Sequence, residues 1–189
     1  MKKDGYIKFS NDQLEKIGYT SIYLCNKIPY LSKTKLLKLL YILDEISIKK
    51  TGIPFLNLKY KVWKFGAVAE EIFIDLSSEI TLLSKYIEKD ANSNSFKAKI
   101  DFSDDEFSDS DMQIMDDVIE KFGKKTTKEL IDYTHREKSL WYNTAKKHSV
   151  LELLQKEEIS NTDFLIDMSL LIAHDNMKKD IYLEYIETH

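Results

Sequence analysis

Ser32-Lys33-Thr34-Lys35-Leu36-Leu37-Lys38-Leu39-Leu40-Tyr41 is the stretch from which the rest of this 189-residue chain is read. Ser32 is a helix-capping residue type, and Leu36, Leu39, Leu40, Leu43 and Ile46 recur behind it at helical spacing. Gly52 stands where such a helix ends, and Pro54 prevents its continuation. With only five Gly and two Pro in the whole chain, regular structure is seldom interrupted, which favours helices over a many-turned sandwich or barrel.

Upstream, Ser10-Asn11-Asp12-Gln13 has the form of a capping box, and Leu14, Ile17, Tyr19, Ile22 and Leu24 carry a helix to about Asn26, closed by Pro29. Downstream, the period changes to two. Tyr60, Val62 and Lys64 alternate with Lys61, Trp63 and Phe65, which predicts a strand over about 58–66. Phe96, Ala98, Ile100 and Phe102 alternate in the same way, so 96–102 is expected as its antiparallel partner. Between the two, 69–88 reads as a helix and 91–95 as a polar loop. Further helices are expected around Met112–Ile119, behind the capping box Thr126-Thr127-Lys128-Glu129, over 140–147, and once or twice in the tail. The expected fold is therefore mainly α (α+β), a multi-helix domain with a small antiparallel β element of two or three strands.

Charge is distributed unevenly around a net of −4. Residues 33–64 hold eight Lys against Asp44 and Glu45, or +6, whereas 69–120 hold fifteen acids against four Lys, or −11. Two solvated faces explain this; so does a dipolar surface that steers a charged partner. Arg136 is the only arginine, so the bidentate forks that read bases are scarce and a nucleic-acid partner is not expected, although the lysine block keeps a nucleic-acid-associated regulator as an alternative.

The search for reaction chemistry returns little. His135, His148, His174 and His189 are far apart and lack metal-helix spacing, and Cys25 alone forms neither a disulfide nor a thiolate cage. Gly-rich phosphate loops and nucleophile elbows are missing. An unrecognised hydrolase using His135 and carboxylates is the weakest alternative; no enzyme activity, metal or cofactor is expected. No apolar run approaches a membrane span, and Met1–Tyr6 leads into no apolar leader, so a cytoplasmic location is expected.

Two segments carry a resemblance. The lysine-rich helix ending in Lys38-Leu39-Leu40-Tyr41, then Thr51-Gly52, then Val62-Trp63-Lys64-Phe65-Gly66-Ala67-Val68 resembles the Panacea domain, also described as SocA-like or phage-associated GepA-like. Leu130-Ile131-Asp132-Tyr133-Thr134-His135 with Trp141 behind it is similar to the same family's threonine-histidine helix. The resemblance spans about 12–145 and departs at Ala67, where the family usually has proline. It implies a Panacea-like domain over 1–150, with 151–189 as a helical extension packed on it. It also implies an antitoxin that neutralises a protein toxin by direct contact, the toxin being encoded nearby, and that in some members hands the toxin to a protease.

The interface expected on this basis uses Lys38, Tyr41, Trp63, Lys64, Phe65, Gly66, His135 and Trp141 as partner-binding residues. Each has a plainer role open to it. Trp63, Tyr41 and Trp141 fill core volume, Gly66 serves backbone geometry, Lys64 is a solvated strand residue, and His135 anchors the Trp141 helix.

Overall fold

The structure, a computed structural model, describes residues 9–188. The readings placed on Met1–Tyr6 and on His189 lie outside the described residues. The fold is mainly α with a small β element: eight α-helices and two small antiparallel hairpins among the described residues.

Its axis is α2 (Lys33–Thr51), buried without a break from Leu36 to Glu45. A helix covered on nearly every side belongs to the core rather than to the surface. Ser32 caps it as expected, its Oγ accepting the Lys35 N–H. Gly52 ends it at φ +86, a conformation that suits a residue without Cβ.

α1 (Asn11–Lys27) starts at Ser10, whose Oγ accepts the Gln13 N–H. The capping box expected there is half formed. The Gln13 amide donates instead to the Leu56 and Asn57 carbonyls at 2.9 and 3.1 Å, tying the helix start to the loop after α2.

The strand pairing differs from expectation. β1 (Lys61–Trp63) pairs with β2 (Gly66–Val68), and β3 (Ile87–Lys89) pairs with β4 (Phe96–Ala98). Both alternating stretches contain strands, yet they do not pair with each other. Alternation reports a half-buried extended segment and is silent about its neighbour. Gly66, at φ +103, lets the chain reverse across Lys64 and Phe65, so each strand finds the nearer partner. On its other edge β1 is met by the 160–166 segment. Val62 N–H donates to Phe164 O (3.0 Å), Lys64 N–H to Ser160 O (2.9 Å), and Ile166 N–H to Tyr60 O (2.8 Å).

The helix expected over 69–88 is also shorter: α3 covers only Glu70–Ser77. Asp75 accounts for the break, its carboxylate accepting the backbone N–H groups of Thr81 (2.7 Å), Leu82 (2.8 Å) and Leu83 (3.2 Å). Donors gathered around one carboxylate make a loop where a helix would have used them along its axis.

α4 (Asp109–Phe122) and α5 (Thr127–His135) both open with reciprocal capping boxes, Ser108 with Asp111 and Thr126 with Glu129. α6 (Leu140–Lys147), α7 (Leu151–Gln155), a short 3-10 turn at Met168–Ile172 and α8 (Asn176–Thr188) complete the order. α2 packs against α3, α4, α5 and β2, and α5 packs against both α6 and β2. No helix among the described residues is long and apolar enough to cross a membrane.

Candidate functional site

The β1–β2 hairpin ends in a two-residue tip, Lys64-Phe65. Phe65 is 54 % exposed, and the Lys64 ammonium lies 4.8 Å from its ring centre while pairing with Glu157 at 2.9 Å. An exposed aromatic costs water contact, so what holds it in place matters.

Three groups clamp the hairpin. From α2, the buried Lys38 ammonium donates to the Ala67 carbonyl at 2.8 Å. From α6, the Trp141 indole N–H donates to the Trp63 carbonyl at 2.8 Å. From the tail, Thr162 Oγ1 donates to the Val62 carbonyl at 2.7 Å, and the Trp63 indole N–H returns to the Thr162 carbonyl at 3.2 Å. Trp63 also meets Phe73 of α3 edge to face, ring centres 4.9 Å apart.

Gly66 is fixed by space as well as by angle. A Cβ there would stand 2.6 Å from Thr134 Oγ1 and about 3 Å from the end of the Lys38 side chain. The Lys38 helix, the tryptophan-glycine bend and the Thr134-His135 segment therefore meet at one point, as one compact body.

Beneath the hairpin the electrostatics are unusual. Burial pushes the Lys38 ammonium down to about 7, and no carboxylate pairs with it among the described residues. His135 lies flat on Trp141, ring centres 3.8 Å apart. Burial first, and then the nearby Lys38 charge, lower it to about 4 against a smaller opposing pull from Asp132. Its Nε2 is buried with no hydrogen-bond partner among the described residues. Two basic groups that feel each other's charge in a buried site resist carrying two protons.

Tyr41 packs edge to face on Tyr60 at 5.1 Å. Its hydroxyl lies close to Glu45 but outside hydrogen-bonding geometry, and burial, then the Glu45 charge, hold its pKa well above the usual tyrosine value. Glu45 accepts from both Lys49 and Arg136, and the Arg136 guanidinium covers the Tyr133 ring at 3.9 Å.

Of the residues expected to touch a partner, Phe65 is exposed, while Lys64, Trp63 and His135 are partly covered. Lys38, Gly66 and Trp141 are buried directly behind them, and Tyr41 is buried against Tyr60. The clamp from Thr162 was not legible in the sequence, because nothing marks a tail threonine as a neighbour of β1. Arg136 offered a signal in being the sole arginine, and it is used inside the chain on Glu45. The lysine block is engaged in the same way: Lys33 on Ser77, Lys35 on Gly123 O, Lys50 on Asp117, and Lys61 on Glu70 and Asp163.

A family model described as "Antitoxin SocA-like, Panacea domain" matches residues 36–142, more than half of the chain. The chain belongs to that family. The matched stretch runs from the buried face of α2 to one residue past Trp141, so it contains every part of the Panacea hairpin clamp except Thr162. No curated protein and no solved structure matched the chain. Membership of an antitoxin family ties the chain to toxin-antitoxin biology and to a protein partner.

Proposed function

We propose that this protein neutralises a toxin in the cytoplasm by direct contact, and that the Lys64-Phe65 tip is the first point of that contact. The observation that carries the reading is the pairing of an exposed aromatic with a rigid mount. Phe65 stands out from a hairpin held by Lys38, Trp141 and Thr162. Interfaces draw much of their affinity from a few aromatic or arginine anchors whose geometry is set before the partner arrives. Lys64 and Phe65 touch the partner in this reading. Lys38, Tyr41, Gly66, His135 and Trp141 hold the tip, and Trp63 does both.

Neutralisation by contact needs no catalytic group, which agrees with antitoxin-family membership. The reading treats 1–150 as the Panacea-like domain and 151–189 as an extension packed on it. The backbone bonds from 160–166 to β1 and the Lys178 ammonium on Lys49 O (2.7 Å) support that division of labour. An interface of ordinary size covers about 800 Å² per partner, so the tip is its anchor and not its whole extent.

The test is co-expression with the product of the adjacent toxic gene. Wild-type protein should restore growth and co-purify with that product, while Phe65→Asp should lose both and remain folded by circular dichroism. Retained rescue in Phe65→Asp would remove the tip from the interface. A hand-over role would appear as a shortened toxin half-life that depends on a cellular protease; an unchanged half-life with full rescue would leave inhibition by contact.

A further inference from the structure

We propose that the cleft between the start of α1, α3 and the 78–82 loop is a second docking site, for an apolar segment of a protein partner that carries lysine or arginine. It is separate from the Lys64-Phe65 tip. The cleft has a volume of about 640 Å³ and apolar walls formed by Phe9, Leu14, Ile74 and Leu82. Ile74 is 47 % and Leu82 38 % exposed, which water disfavours.

The loop wall is set in advance. Asp75 is buried and accepts three backbone N–H groups and the Thr81 hydroxyl (2.9 Å), so Leu82 is held facing the cleft before anything binds. Those bonds also use up the Asp75 charge, leaving Glu71 and Glu79 as the carboxylates offered at the rim. Among the described residues neither forms an ion pair.

Charge decides which occupant fits. The residues that line the cleft include Glu71, Asp75 and Glu79 and no lysine or arginine, so an anionic segment is repelled, and a neutral apolar molecule covers the walls but leaves both rim carboxylates without a counter-charge. A segment that sets apolar side chains against Ile74 and Leu82 and cations beside Glu71 and Glu79 satisfies both. α3 joins the two sites physically. Its Phe73 packs on Trp63 beneath the tip, and its Glu71 and Ile74 line the cleft.

The probes are three soluble helical peptides of equal length, Leu/Lys, Leu/Glu and Leu/Gln, titrated into the full chain by amide chemical-shift mapping. The Leu/Lys peptide should bind about tenfold more tightly than the others, with shifts confined to 9–14 and 71–82, and more weakly as salt rises. Ile74→Asp should lose that binding. Glu71→Lys combined with Glu79→Lys should transfer the preference to the Leu/Glu peptide at an unchanged melting temperature, which a purely structural role would not do. Phe65→Ala should leave peptide binding intact, separating failure here from failure of the tip. Shifts spread across the acidic surface, equal binding of Leu/Gln, or a charge reversal that does not transfer the preference would each overturn the proposal. So would Leu/Lys binding that appears only after residues 1–8 are removed, since the occupant would then be the chain's own N-terminal segment.

Discussion

Asp44 and Lys38 lie on the same helix, each 1 % exposed, and their surroundings differ in kind. Asp44 accepts from Leu56 N–H (2.6 Å), Asn57 N–H and Leu58 N–H (3.3 Å each) and the Tyr60 hydroxyl (2.7 Å). Three successive N–H donors of the loop after α2, those of residues 56–58, find their acceptor on this one carboxylate. Among the described residues Lys38 has three N–H donors and one acceptor, the Ala67 carbonyl, and the nearby His135 Nε2 has no partner. The first site is a closed polar network that shapes a loop. The second is under-satisfied and sits directly beneath the exposed tip. The contrast is between a buried charge that shapes one loop and a buried charge that ties α2 to the hairpin beneath the exposed tip.

Breaking Asp44 should have the largest effect. Asp44→Ala leaves three backbone N–H groups without an acceptor and the Tyr60 hydroxyl with only the longer bond to Leu40 O (3.2 Å), and should cost about 3–5 kcal/mol in urea unfolding. Asp44→Asn keeps one acceptor and should cost less. A loss below about 1 kcal/mol would mean that the loop rearranges freely and that the contrast with Lys38 is false. Next comes Gly66→Ala, which meets both a disfavoured angle and Thr134 Oγ1 and should cost about 2–4 kcal/mol. Because the tip is displaced, its toxin rescue should fall further than its stability does.

Lys38 should show its character through pH. Its folded pKa of about 7 lies below the unfolded 10.5, so between those values the unfolded chain binds more protons than the folded one. Stability contributed at this site should therefore rise with pH across that window, by about 1.4 kcal/mol for each unit of real pKa difference. Lys38→Met should abolish the rise and match or exceed wild-type stability at pH 7. The difference between the two urea-unfolding curves cancels other titrating groups. A parallel pair of curves would mean that the ammonium is neither desolvated nor functionally poised.

His135 gives a smaller, separate window. Its folded value of about 4 against 6.5 unfolded predicts stability that falls on acidification from 6.5 to 4, and His135→Phe, which keeps the stack on Trp141, should flatten that fall. An acid limb identical in the two proteins would place the His135 proton elsewhere.

Much of the helical frame could be read from local chemistry. Ser32, Gly52, Thr126 with Glu129, and the α2 stripe are signals whose cause and effect lie within a few residues. The three motifs that meet at Gly66 were legible for the same reason, each being compact in sequence. Strand partners were not, because alternation carries no information about which strand lies alongside. Asp75 was read as one more helical residue because its effect on 81–83 appears only once the loop has folded back on it. The depth of Lys38 was hidden by residue type: a lysine between leucines reads as surface until the helix is covered on every side.

Ala67 offers the finest test. Val62, its partner in register, gives its N–H to Phe164 and receives Thr162 at its carbonyl, so the Val62 and Ala67 pair is not hydrogen bonded across the hairpin. Proline at 67, the residue usual in this family, would therefore remove no ladder bond, and its carbonyl would still accept Lys38. Ala67→Pro should raise stability by about 0.4–1 kcal/mol through a stiffer unfolded chain, read as a higher melting temperature. A drop would show that the buried Ala67 N–H is needed or that the ring does not fit. Proline should also do part of the work of Lys38 by stiffening the hairpin from within. In a double-mutant cycle, Lys38→Met should then weaken toxin rescue less in the Ala67→Pro background than in the wild type. If the two effects simply add, Lys38 holds the tip through its charge and not through the rigidity that it lends to β2.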